Sequence, residues 1–143
     1  MANRDFDAVA YQLEKKLVSI FARVTIGAAG APTLVTTTTG SGNPSKGVAT
    51  ITRTATGKYT IQLGLVDSVS GQLLSDLYTR LLTVGVTVLN SSLTSVIGGQ
   101  LTSDTVATNG QFQFQFISAA GAAADPANGD TLLWEIILKN SAV

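Results

Sequence analysis

Neither histidine nor cysteine occurs among the 143 residues. Without an imidazole, Ser/His/Asp triads, Cys/His pairs and imidazole-based metal sites are excluded by inventory. Without a thiol there is no disulfide framework and no thiolate chemistry. Charge is also scarce: nine Lys and Arg balance nine Asp and Glu, and together they make up 13% of the chain. An average soluble domain carries roughly 25%. Neutralising phosphates requires clustered Lys and Arg, and the only adjacent basic pair is Lys15-Lys16, so no nucleic-acid partner is expected. Long apolar runs are missing as well. The most apolar stretch, Leu17 to Ala31, is broken by Arg23 and is shorter than the roughly 20 residues that span a bilayer. No membrane association is expected. The opening residues Met1 to Asp7 are acidic where a secretory signal would be basic, so no export signal is read there.

What is present is apolar and uncharged. Hydrophobic residues make up 45% of the chain, and the length suits one domain with its own core. Solubility then rests on Thr, Ser, Asn and Gln, or on burying surface against other subunits, because a net charge of zero does little to oppose association. The composition points to an oligomer or a part of an assembly.

Phe6, Val9, Ala10, Leu13 and Leu17 recur at the three- and four-residue spacing of an amphipathic helix. Asn3 is placed to cap it, with Asp5 and Asp7 in its first turn and Lys15 and Lys16 in its last. The division expected is therefore an amino-terminal helix over 1–17 and a single β domain over 18–143. From Val18 the period becomes two: Val18, Ile20, Ala22, Val24 and Ile26 share one face, and Ser19, Phe21, Arg23 and Thr25 the other. Gly27 to Thr33 breaks this strand, and Thr36 to Ser45 has no apolar period and reads as a surface loop.

Gly47 to Thr54 and Lys58 to Leu65 flank Ala55, Thr56 and Gly57 and predict a hairpin. Gly71 to Leu77 suits one helical turn, and Leu82 to Val88 a strand in which Gly85 marks a bulge. Leu93 to Leu101 and Asp104 to Thr108 are weaker strand candidates. Gln111 to Ile117 alternates without fault, with Phe112, Phe114 and Phe116 facing one way and three glutamines the other. After an Ala/Gly-rich turn, Thr131 to Lys139 forms the last strand and is partly apolar on both sides. About seven short strands separated by turn signals predict an all-β, antiparallel, jelly-roll-like sandwich.

No constellation of catalytic residues stands out. The nine acids are scattered, so a glycosidase-like carboxylate pair would need the fold to assemble it. Asp125 and Asp130 flank Pro126 to Gly129 and could hold a calcium-like cation, although an Asx-type turn before the last strand explains them more simply. Gly98-Gly99-Gln100 reads as a hairpin turn, and Gly27 to Gly30 lacks the Lys and Ser/Thr of a phosphate loop. Asn90-Ser91-Ser92 matches a glycosylation acceptor, read as accidental in the absence of an export signal. Arg53, Lys58 and Arg80 read as strand-end charges. No catalytic residue, metal or cofactor is expected.

The opening helix running into Val18 to Gly27, the segment Lys46 to Leu63, and the ending Leu138 to Val143 together resemble the decoration, cement and head-fibre proteins of tailed-phage capsids. The resemblance implies a β-sandwich assembled as a homotrimer on the capsid exterior, made in the host cytoplasm, whose partner is the major capsid protein and whose task is to strengthen contacts between capsid subunits. Phe6, Val9, Leu13 and Leu17 on the helix, and Thr38 and Asn43 in the loop, are the candidate intersubunit or capsid contacts. The competing function is a host-surface or glycan-binding module of a tail or fibre. Such a module needs exposed aromatic platforms, whereas Tyr11, Tyr59, Tyr78 and Trp134 mostly fall at core-like positions.

Overall fold

The computed structural model describes residues 17–36, 43–45, 47–64, 80–90 and 96–139. The expected helix, with Phe6, Val9 and Leu13, lies outside these residues, as do Thr38 and the helical turn expected over 71–77. Leu17 is described, and it opens a strand instead of closing a helix.

Among the described residues, eight strands form two four-stranded sheets. They are β1 (Leu17–Ile26), β2 (Pro32–Leu34), β3 (Val48–Ala55), β4 (Lys58–Leu63), β5 (Arg80–Leu89), β6 (Val96–Thr105), β7 (Gln111–Ser118) and β8 (Thr131–Lys139). One sheet has the order β2-β1-β8-β5, the other β3-β4-β7-β6, and every pairing is antiparallel. The all-β sandwich read from the alternation is what the chain forms. Hairpins within one sheet join β1–β2, β3–β4 and β6–β7, and the other four consecutive strand pairs lie in different sheets.

The core follows the period-two pattern. Ile20, Ala22, Val24 and Ile26 of β1 are buried, with Leu132, Trp134, Ile136 and Leu138 of β8 beside them. Opposite lie Tyr59, Ile61 and Leu63 of β4 and Phe112, Phe114 and Phe116 of β7. Trp134 closes the gap between the layers, its ring centroid 5.2 Å from Phe114, 6.0 Å from Phe116 and 6.4 Å from Phe112, all edge-on. Edge-to-face contact is the arrangement ring quadrupoles favour. β8 reads as apolar on both sides because it is central in its sheet, so that Leu133 and Ile137 on its outer face are themselves half-buried.

Several local expectations change. β2 falls in the segment read as a strand break: three residues beginning with proline carry no period, and Pro32 is tolerated because β2 is an edge strand. The irregularity of β5 lies between Leu81 and Thr83, not at Gly85, which pairs regularly with Glu135. The described part of the first weak candidate and the start of the second merge into β6, and Val106 to Thr108, expected in a strand, belong to the helical turn Val106–Asn109, closed by left-handed Gly110. The Asp104 carboxylate accepts from the Val106 amide at 3.0 Å and starts that turn. Gly98-Gly99-Gln100 is not a turn but the body of β6. Gly99 is needed there because a Cβ would run into the Phe114 ring.

Candidate functional surface

A polar cluster around Asp125 ties three loops together. The Arg53 guanidinium holds both carboxylate oxygens of Asp125, at 2.9 and 2.7 Å. Asp125 Oδ1 also accepts from the Gly57 amide at 2.8 Å. The Tyr59 hydroxyl donates to the Gly30 carbonyl at 2.8 Å and lies 3.2 Å from Asp125 Oδ1. The hydrogen-bonded guanidinium holds the Asp125 carboxyl below the usual carboxylate range, and the same contact raises Arg53. Burial, helped by the Asp125 charge, pushes the Tyr59 phenol up. Each group is thereby fixed in its ordinary neutral-pH state, the opposite of the poise a general acid or base needs. This is a structural latch. Arg53, read as a solvated strand-end charge, is instead a bidentate ion-pair partner.

The expected turn at Asp130 is present, since its Oδ2 accepts from the Ala127 amide at 2.8 Å. Asp125, the other half of the calcium alternative, is turned to Arg53 instead. Among the described residues no group of three Asp or Glu is placed to hold a metal ion.

Of the sequence-derived contact residues, two are described. Leu17 is exposed at the start of β1. The Asn43 carboxamide is occupied within its own loop, where Oδ1 accepts from the Ser45 amide at 2.8 Å. Ser45 is buried, its hydroxyl accepting from the Arg23 amide at 3.0 Å and lying 2.6 Å from the Val35 carbonyl. The loop is thus stitched to β1 beyond the end of β2.

Outside the core, apolar surface is exposed where the pattern places polar residues. Phe21 is 56% exposed. It sits on the outer face of its sheet in one cross-strand row with Glu135 and Gly85. The adjoining row is Arg23, Leu133 and Thr87. The missing side chain at Gly85 leaves a groove of about 380 Å³ bordered by Phe21, Thr87, Leu133 and Glu135. Leu82, Leu89 and Leu101 are also exposed. A phenylalanine among Ser19, Arg23 and Thr25 was the sequence signal for this face. The outer face of the other sheet is polar and nearly uncharged: Gln62 accepts from Gln111 at 2.6 Å and donates to the Leu63 and Asn109 carbonyls.

A second opening lies between β5 and β6, a slot of about 340 Å³ lined chiefly by Val86, Val88, Val96, Gly99, Phe114 and Phe116, with Asn90 beside them.

The chain matches no protein-family model, no curated protein and no solved structure.

Proposed function

We propose that this chain is a structural assembly protein that acts by burying surface against other subunits, and that its place is the exterior of a tailed-phage capsid, where it decorates and stabilises the shell. What supports the assembly part of this reading is one observation. A chain with 13% charged residues and no net charge leaves Leu17, Phe21, Leu82, Leu89 and Leu101 in solvent, surface that becomes stabilising once covered. The capsid part rests on the resemblance carried by Val18 to Gly27, Lys46 to Leu63 and Leu138 to Val143. The partners that follow are further copies of the chain, as a homotrimer, and the major capsid protein.

The reading as a glycan-binding module draws less support. Of the described aromatic residues, Tyr59, Phe112, Phe114, Phe116 and Trp134 are all buried, so among the described residues Phe21 has no second exposed ring with which to form a stacking platform.

The test is co-sedimentation of the purified chain with capsids of the phage that encodes it, assembled with this gene deleted. Saturable binding at a fixed ratio to the major capsid protein is expected. Capsids that sediment without the chain overturn the capsid assignment.

A further inference from the structure

The two sides of the sandwich are built differently. On one side β2 is three residues long and begins with Pro32, β3 carries two register shifts and Arg53, and the two strands touch. Short strands, proline, irregular register and charge are the usual guards of a sheet edge. On the other side the edge strands among the described residues, β5 and β6, are both ten residues long, and β6 carries register shifts at Val96/Gly98 and Leu101/Ser103. Between Thr83 and Leu89, β5 has regular register and no charged residue.

The exposure of β6 departs from the alternation of its neighbour. In β7 every second residue from Phe112 to Phe116 is buried, whereas Gly98, Gly99, Gln100, Leu101 and Thr102 of β6 are all exposed, whichever face they are on. Leu101 pairs with Phe114, so it is on the core side, and it is still 45% exposed. Val84, Val86 and Val88, the core-side residues of β5, are only half-buried. The slot lies between these two edges.

We propose that this side is where copies of the chain join, β5 of one copy against β6 of the next. Three features favour a second copy as the occupant. First, the directions match. The end of β5, Val86 to Asn90, lies across the slot from the start of β6, Val96 to Gly99, so the two strands run oppositely. A rotation axis along the strands keeps strand direction. Every β5 then meets a neighbour's β6 antiparallel, in a pair or in a closed ring of three, and free edge N–H and C=O groups of both gain partners. Second, nothing repels. The chain has no net charge, and the only charged residues of the two strands are Arg80 and Asp104, of opposite sign. Third, the edges are long. Edges roughly 33 Å long on sheets about 10 Å apart span a face of roughly 330 Å² before flanking side chains are counted, the scale of the smaller specific interfaces and below the roughly 800 Å² per partner of a standard one.

This inference deepens the assembly reading and rests on it for self-association, but not on what the assembly sits on. The experiment is light-scattering mass of the full chain at about 1 to 100 μM, compared with Thr87→Lys on β5, Leu101→Lys on β6 and, as control, Thr50→Lys at an exposed site on β3. The wild type and Thr50→Lys are expected at a multiple of the chain mass. Thr87→Lys and Leu101→Lys are expected at the chain mass, with cooperative melting retained, and a tenfold or greater weakening of association is the threshold. A wild type that stays monomeric, with β5 and β6 amides protected from hydrogen exchange, would show the edge covered by the chain itself and overturn the proposal. Edge-lysine variants that associate like the wild type would overturn it too. Association that needs this edge together with failure to bind capsids would remove only the capsid assignment.

Discussion

Asp125 accepts three hydrogen bonds through one carboxylate, two from the Arg53 guanidinium and one from the Gly57 amide, at 2.7 to 2.9 Å, and the Tyr59 hydroxyl that donates to Gly30 lies 3.2 Å from its Oδ1. It fastens the loop before β8 to the β3–β4 hairpin, and through Tyr59 to the turn after β1. Replacing Asp125 by Ala strands the Gly57 amide, and a buried donor without a partner costs about 1–3 kcal/mol. The expected outcome is a loss of that order in urea unfolding, with a smaller loss for Arg53→Ala, whose side chain is the more exposed of the two. Equal losses would show that the ion pair and not the amide dominates.

The same carboxylate sets an acid limit. The folded state holds Asp125 below its ordinary value, so its contribution is fully present above the unfolded carboxylate value of about 3.9. It is lost as pH falls from there through the lower folded value. Thermal melting from pH 7 to 2 should therefore show the wild type losing part of its stability below about pH 4. The Asp125→Asn variant should lack that component.

Gly57 has φ of +68°, and a Cβ there would lie 2.8 Å from the Phe116 carbonyl oxygen and the Ala124 nitrogen. Backbone strain of this kind costs about 1–3 kcal/mol, and the contacts add to it. Gly57→Ala should lower the melting temperature clearly, whereas Gly98→Ala, where nothing lies within 4 Å of the new Cβ, should be nearly silent.

Trp134 is the only tryptophan and is 3% exposed among three phenylalanine rings. Its emission should be blue-shifted in the folded state and shift red in one step with urea, together with far-UV circular dichroism. Trp134→Ala should cost about 3–5 kcal/mol. Emission that moves before the circular dichroism signal would mean that the two sheets do not unfold as one unit.

The parts of the fold legible in the sequence are those where burial follows a simple period. Ile20 to Ile26 and Phe112 to Phe116 alternate because one face of each strand meets the other sheet. β2 was hidden because three residues cannot establish a period, and the Gly98-Gly99 pair misled because the space that excludes a side chain at Gly99 is filled by Phe114, further along the chain in β7. The Arg53–Asp125 pair spans 72 positions, so no local pattern could announce it. The candidate surface was legible as a deficit of charge and as Phe21 standing among Ser19, Arg23 and Thr25. Which apolar residues stay exposed depends on the strand order, which among the described residues places β5 and β6 last in their sheets while β8 is central.

The central claim is that the chain works by covering and strengthening a shell. The measurement that bears on it most directly is the heat-disruption temperature of capsids assembled without the chain, with and without a saturating amount added back. The account predicts bound chain and a higher disruption temperature, with a smaller gain for the Leu101→Lys variant. Capsids whose disruption temperature does not move at saturation would contradict it.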